Sequence, residues 1–241
     1  MYTRPLIKAS GGYVVHVEFC NEVSMSCNKK VHALYYMFLK ELNEGRIDGI
    51  TDVVPAYSSM TVFYDPRKIS YKELFRVIED LSRHMTDVDL DKVLRPEKYR
   101  VPVAYGGEFG PDMSSVAELT GLNEDEIVKI HTSRIYRCYM LGFTPGFVYL
   151  GDVDKRIAVP RLPTPRTRIK PGSVGIAGKQ TGIYGVASPG GWRLIGRTPV
   201  RTFDPDRKPP TPLKPGDLFE FYPISRDEFQ KLKGKFILEV Q

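Results

Sequence analysis

Turn-forming residues are concentrated in one part of this chain, and they limit what it can fold into. Residues 142–216 contain 12 of the 21 glycines and 12 of the 19 prolines. Short runs of β-type residues lie between them, among them FVYL, SVGIAG, TGIYGVA and WRLIG. Glycine and proline interrupt helices, and turns at such close intervals join short neighbouring strands. The stretch therefore predicts an antiparallel β-barrel or sandwich.

The first 95 residues follow a different pattern, in which strand and helix signals alternate. The segment YVVHVEF alternates apolar and polar residues, and apolar residues from Val31 to Leu42 recur at helical spacing. GITDVVPAY and SSMTVFYD read as two strands, Ser70 with Glu73 forms a capping box that opens a second helix, and YRVPVAY gives a further strand. This order, β-α-β-β-α-β, predicts a ferredoxin-like unit with two helices on one sheet.

A charged segment, DVDLDKVLRPEKYR, separates the two patterns. We place the domain junction at about residues 88–100, which predicts an α+β chain with a small α+β domain over 1–95 and a β-barrel domain over 96–241. The barrel domain opens with two short helices. Asp112 is the expected cap of the first, and Gly121 is expected to end it. Asn123 with Glu126 is expected to cap the second.

Charge and composition exclude several classes of function. The net charge of +6 is spread along the chain without a basic block, and the second short helix opens with NEDE, whose acids would repel DNA phosphates. No apolar run approaches membrane-spanning length, and the N-terminus lacks the apolar core of a signal peptide. We expect a cytoplasmic protein that binds neither nucleic acid nor membrane. Its three cysteines, Cys20, Cys27 and Cys138, are expected to be ordinary thiols.

The segment KPGSVGIAGKQTGIYGVASPGGW has the glycines and the lysine of a phosphate-binding loop, but not their spacing. A Walker A loop has four residues between its two glycines and a Ser or Thr after its lysine. Counting back from Gly178, the first glycine falls on Ser173, and Lys179 is followed by Gln180. The segment therefore predicts barrel turns that line an anion site, and not a nucleotide P-loop.

The same region has a one-sided charge pattern. No Asp or Glu occurs from Lys155 to Phe203, while ten basic residues do. Arginine binds planar carboxylates and phosphates through two hydrogen bonds, so the stretch favours a site for a small anion. The alternative is a solvated basic face that acids elsewhere balance. The ten residues are Lys155, Arg156, Arg161, Arg166, Arg168, Lys170, Lys179, Arg193, Arg197 and Arg201.

Individual side chains can be assigned expected roles within this region. Prolines hold the TPRTR loop extended, which suits anion binding by its two arginines. Polar residues of the glycine-rich turns are suited to orient a carboxylate or an amide, although a structural role is equally open to them. The single tryptophan is the candidate anchor at the barrel mouth, with a place in the core as the alternative. The candidate substrate- or phosphate-binding residues are Arg166, Arg168, Lys179, Gln180, Tyr184, Ser188, Trp192 and Arg197.

Two residues outside this region are candidates for acid–base chemistry. Glu108 lies in the loop GGEFGPD, where Asp112 is either a helix cap or a metal ligand. His131 ends the second short helix, where a structural role is the alternative to catalysis. No spacing of potential ligands indicates a metal site in this chain.

The long block YMLGFTPGFVYLGDVDKRIAVPRLPTPRTRIKPGSVGIAGKQTGIYGVASPGGWRLIGRT resembles the signature of the allophanate hydrolase subunit 1 family. VPVAYGGEFGPDMSSVAELTGLNEDEIVKIHTS matches the preceding block of that family, and a weaker similarity extends to the N-terminus. The chain departs from the family at Cys20, where a glycine is expected. The resemblance implies a cyclophilin-like barrel after a small α+β domain.

The resemblance also implies a function. The family includes the B subunit of ATP-dependent 5-oxoprolinase, which works with a homologous, cyclophilin-like C subunit and an A subunit of the lamB/ycsF type to convert 5-oxoproline to glutamate. ATP and Mg²⁺ are the cofactors expected for such a complex, and the isolated chain is expected to be inactive. Two alternatives remain: an inhibitor of a sensor histidine kinase resembling the Kip inhibitor, and a carboxyltransferase-type module related to urea amidolyase.

Overall fold

A computed structural model of the chain describes residues 2, 4–85, 92 and 95–240. The chain divides into two units, Met1–Arg95 and Pro96–Gln241. The domain junction that the sequence predicts at about residues 88–100 lies in part outside the described residues. None of the helices in the described part combines the length and the apolar composition that a membrane crossing requires.

In its described residues the first unit is one four-stranded sheet with two helices. The strands are antiparallel and lie in the order β1-β2-β4-β3. The side chains of Val15, Val17, Val31, Leu34 and Phe38 are fully buried between sheet and helices. Its elements are β1 Leu6–Ser10, β2 Val14–Glu18, α1 Met25–Asn43, β3 Ile50–Pro55, β4 Ser59–Tyr64 and α2 Tyr71–His84.

The predicted β-α-β-β-α-β order is wrong at both ends, and the ferredoxin-like assignment is not confirmed. The observed order is β-β-α-β-β-α, because strand β1 precedes the first predicted strand. The segment Lys98–Tyr105 does form a strand, but it belongs to the barrel of the second unit. Strand β1 gave no alternating signal because it is an edge strand in which four of five residues are exposed.

Two local predictions for the first unit have different outcomes. The capping box of Ser70 and Glu73 is confirmed, with reciprocal hydrogen bonds at the start of α2. The expectation of three free thiols is wrong, because a disulfide joins Cys20 to Cys27, and only Cys138 is a free, buried cysteine. The disulfide ties the end of β2 to the first turn of α1.

The second unit is built around a closed barrel of seven strands, in the order β10-β7-β6-β13-β5-β12-β9, and β8 and β11 form a separate pair. The predicted barrel is confirmed. Its elements are β5 Lys98–Tyr105, α3 Met113–Thr120, α4 Glu124–Thr132, β6 Ile135–Leu141, β7 Val148–Gly151, β8 Arg166–Ile169, β9 Ser173–Ala177, β10 Gln180–Ile183, β11 Ser188–Gly190, β12 Arg193–Arg197, β13 Leu218–Pro223 and α5 Arg226–Leu232.

One seam of the barrel departs from the antiparallel prediction. Strands β5 and β13 run parallel, with Leu218 opposite Lys98 and Pro223 opposite Val103. Every other pair in the barrel is antiparallel. The two strands that form the parallel seam stand near the two ends of this unit in sequence, so the barrel is closed by its first and last strands.

The two short helices cover one side of the barrel. Helix α3 contacts β12 and α4 contacts β13. Gly121 ends α3 in the left-handed conformation with φ of 72°, and Asn123 forms a capping box at the start of α4, as the sequence predicts. Asp112 stands at the N-cap position of α3, but its side chain makes no capping hydrogen bond. Its carboxylate instead accepts hydrogen bonds from Arg166 and from the backbone N–H of Leu194.

Candidate functional site

A pocket of about 270 Å³ is lined by residues at the start of β7, after β10 and before β12, together with residues of β11 and of the loop before β8. Most of its wall consists of aromatic rings and loop glycines or prolines. We call it the aromatic pocket. Its lining residues are Phe143, Phe147, Tyr149, Arg161, Pro165, Tyr184, Pro189, Gly190, Gly191 and Trp192.

The rings of the aromatic pocket are fixed by mutual packing. The ring of Phe147 stands nearly perpendicular to Tyr184 and Trp192, with centroids 4.7 Å and 5.4 Å away. Tyr149 lies 4.4 Å from Phe147 and 5.7 Å from Trp192. Edge-to-face contacts at these separations are favourable, and Phe147, Tyr184 and Trp192 are all less than 5% exposed. The pocket therefore has a rigid, preformed apolar wall.

Two glycines allow the aromatic wall to form. A Cβ on Gly190 would collide with the hydroxyl of Tyr184 and would approach Ile169 Cδ1 to 2.7 Å. A Cβ on Gly182 would come within 3.0 Å of the Trp192 ring. The glycine-rich sequence is thus needed for close packing around two buried aromatic side chains.

Tyr184 keeps its proton at neutral pH. Burial is the main cause that raises its pKa to about 12, although a hydrogen bond from the backbone of Trp192 and the charge of Arg161 oppose the shift. A protonated phenol both donates and accepts hydrogen bonds. The aromatic pocket therefore holds one neutral polar group at its wall.

Arg161 is the cation of the aromatic pocket. No carboxylate of the described residues lies within ion-pair distance of it. It lines the pocket, and its charge lowers the pKa of both Tyr149 and Tyr184 against the larger effect of their burial. Flat apolar walls with one accessible guanidinium suit a small molecule that has a ring and a carboxylate.

Arg166 does not line this pocket, although its charge also lowers the pKa of Tyr184, and its role in anion binding stays a prediction. Its two terminal nitrogens donate to the Asp112 carboxylate at 2.9 Å and 2.7 Å. The backbone N–H of Leu194 donates to the same carboxylate at 2.7 Å. Asp112 is 6% exposed, so this is a largely buried ion pair. Asp112 is therefore not a helix cap but a link that joins α3, β8 and β12.

Lys179 and Gln180 lie at the other end of strand β10 from Tyr184. Lys179 is exposed in the two-residue turn between β9 and β10, and Gln180 is the first residue of β10. Four strand residues span about 13 Å at roughly 3.3 Å each. The structure therefore does not bring these two side chains into the aromatic pocket.

Arg168 and Ser188 belong to the paired strands β8 and β11, and neither lines the aromatic pocket. Arg168 is exposed, whereas Ser188 is 6% exposed and its hydroxyl has no hydrogen-bond partner among the described residues. Arg197 lies at the end of β12 and lines a different pocket of about 170 Å³ together with Arg201 and Lys233. We call this second site the basic pocket.

Of the two predicted acid–base residues, neither lines a pocket described above. Glu108 is exposed, and its carboxylate pairs with the guanidinium of Arg226 at 2.8 Å. His131 is fully buried, and its ring stacks on Phe221 at 4.7 Å. The geometry supports a structural role for His131, as the sequence left open.

The hydrogen bonds of His131 define its protonation state. The hydroxyl of Thr181 donates its hydrogen bond to the carbonyl oxygen of Gly175 at 2.9 Å. Its oxygen can therefore only accept from His131, so the His131 Nε2–H donates to it at 2.9 Å. The hydroxyl of Tyr105 then donates to Nδ1 at 2.8 Å. A neutral ring with its proton on Nε2 fits both of these hydrogen bonds. Burial lowers the pKa of His131 to about 3.

We expect this histidine to make stability depend on pH. An unfolded histidine takes up a proton near pH 6.5, whereas the folded ring stays neutral down to about pH 3, so its contribution is complete above pH 6.5 and is lost as the pH falls. Between about pH 6.5 and pH 5 the loss is about 2 kcal/mol. Urea unfolding at both pH values should show this loss in the native chain and in His84→Gln, but not in His131→Gln. An unchanged pH dependence in His131→Gln would contradict the assignment.

The sequence did not identify three important residues of the aromatic pocket: Phe147, Tyr149 and Arg161. Arg161 belongs to the acid-free stretch, but nothing in that pattern distinguishes it from nine other basic residues. The two rings stand at the start of β7, where an apolar run reads equally well as barrel core.

No group of three or more His, Cys, Asp or Glu side chains that could hold a metal ion occurs within the described residues.

Comparison with known proteins adds independent information. Residues 5–213 match the family model described as the carboxyltransferase domain, subdomain C and D. The 5-oxoprolinase B subunit of Bacillus subtilis (strain 168) is 39% identical over 241 residues, which cover 97% of this chain and 98% of that protein. The 5-oxoprolinase B subunit of Escherichia coli O157:H7 is 40% identical over 178 residues, or 73% of this chain and 78% of its own.

A solved structure shows the same fold at lower sequence similarity. The urea carboxylase of Kluyveromyces lactis superposes with a TM-score of 0.73 at 19% identity. The match covers 96% of this chain and 23% of the urea carboxylase chain. At this identity the likeness concerns the fold alone.

Proposed function

We propose that this chain, which belongs to the carboxyltransferase-domain family (subdomains C and D), works as the B subunit of a 5-oxoprolinase. The observation that carries the proposal is the similarity to the Bacillus subtilis protein, which extends over almost the full length of both chains. The second unit is then a cyclophilin-like barrel, and the protein acts in the cytoplasm, where ATP is available.

The aromatic pocket supports this proposal by its size and chemistry. 5-Oxoproline is a five-membered lactam with one carboxylate, and about 270 Å³ accommodates such a molecule. Arg161 would pair with the carboxylate, and the rings of Phe147 and Trp192 would pack on the lactam. The protonated Tyr184 hydroxyl would donate to a polar atom of the ring.

The remaining components belong to the complex. A lactam resists attack by water at neutral pH, and ATP would supply the phosphoryl group that makes its carbonyl carbon a better electrophile. We propose that the A and C subunits complete the enzyme and that the isolated chain has no hydrolase activity. No three His, Cys, Asp or Glu side chains of the described residues gather around one point, and no step through Mg²⁺ is assigned to this chain.

The test is a reconstitution of the three subunits. ADP release that depends on 5-oxoproline is measured with the complete mixture and with mixtures that omit one of the three proteins. We expect activity only when this chain is present. A stable, complete complex without activity would contradict the proposal and would favour the kinase-inhibitor alternative, which a binding assay with purified histidine kinases would then examine.

Arg161→Gln should weaken substrate binding without changing the chemical step. Loss of a charge-assisted hydrogen bond to the carboxylate costs about 1.5–3 kcal/mol, which corresponds to a KM for 5-oxoproline about ten- to a hundredfold higher. The kcat of the complex should change little, because the lost contact exists before and during the reaction.

The matched control for this variant is Arg156→Gln, which removes the same charge from a guanidinium that is bonded to Asp154 and does not line the pocket. A KM that rises equally in both variants would indicate a general charge effect and would count against a role of Arg161 in binding.

The fold also supports a second candidate, a carboxyltransferase-type module, because the urea carboxylase of Kluyveromyces lactis has the same fold. The reconstitution distinguishes the two candidates, since a carboxyltransferase would not release ADP in response to 5-oxoproline.

A further inference from the structure

The basic pocket is a cavity of about 170 Å³ beside the end of β12. Three cationic side chains line it, those of Arg197, Arg201 and Lys233, and none of its lining residues is acidic. Its other lining residues are loop glycines and prolines together with Thr198, Val200 and Phe229. Nothing in the aromatic pocket requires this concentration of positive charge.

Both arginines are held in place by their inner nitrogen. The Nε–H of Arg197 donates to the carbonyl of Pro171 at 2.9 Å, and the Nε–H of Arg201 donates to the carbonyl of Gly234 at 3.1 Å. The guanidinium of Arg197 also lies 5.8 Å from the centre of the Phe229 ring. These contacts orient the arginines before any ligand arrives, which reduces the entropy lost on binding.

The terminal nitrogens of Arg197 remain available. They have no hydrogen-bond partner among the described residues, although the side chain is half-buried and burial lowers the pKa of its guanidinium. Lys233 likewise makes no ion pair with a described carboxylate. A half-buried guanidinium with unused donors, as in Arg197, is costly unless an anion binds to it, while the exposed ammonium of Lys233 adds charge at the edge of the pocket.

The nearest carboxylates are already engaged. Glu108 raises the pKa of Arg197 slightly through its charge, but its carboxylate pairs with Arg226 at 2.8 Å. Asp204 binds Arg201 at 3.0 Å and Arg207 at 3.4 Å. Arg201 is thus paired with Asp204, whereas Arg197 and Lys233 form no ion pair with a described carboxylate.

We propose that the basic pocket binds a phosphoryl group, carried by the terminal phosphates of a nucleotide or released as inorganic phosphate. Two cations without a paired carboxylate, Arg197 and Lys233, match the charge of a phosphate better than that of a carboxylate, and guanidinium groups match its oxygens geometrically. The cavity is too small to enclose a whole nucleotide, so the base and ribose lie outside it.

The two pockets share a wall that is one backbone segment thick. Tyr184 lines the aromatic pocket and the next residue, Gly185, lines the basic pocket. Adjacent α-carbons are about 3.8 Å apart. If the proposed function holds, the phosphoryl group and the lactam bind at neighbouring positions of the same unit.

Direct binding to the full-length chain tests the inference without any catalytic activity. Isothermal titration calorimetry with ADP, inorganic phosphate and adenosine would be carried out on the native chain, Arg197→Gln and Lys233→Gln. The matched control is Lys231→Gln, which removes the charge of an exposed lysine that stands two residues before Lys233 and outside the pocket. Thermal unfolding of each variant would establish that it is folded.

We expect ADP to bind the native chain and adenosine not to bind. Each of the two pocket variants should weaken the binding of ADP about tenfold or more, and Lys231→Gln should change it less than about twofold. If the same variants also weaken the binding of inorganic phosphate, the free ion is a sufficient ligand. If ADP binds and inorganic phosphate does not, the nucleotide is the source of the phosphoryl group.

The inference is overturned if neither ADP nor phosphate binds the native chain at millimolar concentration, or if both folded pocket variants bind as the native chain does. The outcome is separable from the proposed function. If this chain binds ADP through Arg197 but the complete complex is inactive, only the 5-oxoprolinase assignment is contradicted. If the complex is active but this chain binds no phosphate, only the basic pocket loses its proposed ligand.

Discussion

Asp112→Ala is expected to lower the free energy of unfolding by about 3 kcal/mol, the largest effect on stability that we anticipate for a single polar side chain here. The substitution leaves the guanidinium of Arg166 without its bidentate partner, and it leaves the N–H of Leu194 without an acceptor. Because the side chain of Arg166 is 31% exposed, water can solvate it in part, and we place the cost at the low end for a broken buried pair.

Urea unfolding of the full-length chain measures this cost. Glu118→Ala provides the matched control, since Glu118 is an exposed acid on the same helix and its loss should change stability by less than about 0.5 kcal/mol. The double variant Asp112→Ala/Arg166→Met should recover part of the loss, because no unpaired charge remains. If Asp112→Ala is as stable as Glu118→Ala, the ion pair does not hold α3, β8 and β12 together.

Gly190→Ala is expected to disable the aromatic pocket. Its new Cβ would collide with the hydroxyl of Tyr184 and approach Ile169 Cδ1 to 2.7 Å, and both of these side chains are buried. The ring of Tyr184 must shift, so the packing against Phe147 is lost. We expect a KM for 5-oxoproline that is at least about tenfold higher in the reconstituted complex, with a stability loss of about 1–3 kcal/mol.

The neighbouring residue supplies a close control. Gly191 lines the same pocket, but a Cβ there would meet no atom closer than Pro165 Cγ at 3.6 Å, which is ordinary contact. Gly191→Ala should therefore retain the native KM within about twofold. Equal KM values for the two alanine variants would show that the position of Tyr184 does not matter for substrate binding.

The sequence predicted the elements whose signals are local. The capping boxes at Ser70 and Asn123, the left-handed glycine at Gly121 and the turn-rich barrel all depend on residues close together in the chain, and the structure contains each of them. Strand β1 was missed because an exposed edge strand needs no alternating pattern. The parallel pairing of β5 with β13 was missed because a parallel pair leaves no mark in either strand alone.

The site was predicted less completely, for a related reason. The acid-free stretch and the glycine-rich turns indicated the right region, and Tyr184 and Trp192 do line the aromatic pocket. Residue type alone could not tell Arg161, which lines the pocket, from Arg166, whose charge is matched by Asp112. Asp112, the partner of Arg166, stands 54 positions earlier in the chain. A count of charges in the neighbouring sequence therefore does not include it.

The parallel seam has a consequence for the synthesis of the protein. At this seam the backbone N–H of Glu97 donates to Asp217 at 3.0 Å across 120 positions of sequence. A ribosome that adds about 5–20 residues per second needs on the order of ten seconds to make that stretch. Throughout this interval β5 lacks its neighbour and presents unsatisfied backbone groups to the cell. Protection of the nascent chain, by chaperones or by an assembly partner that arrives early, therefore matters most between the emergence of β5 and that of β13.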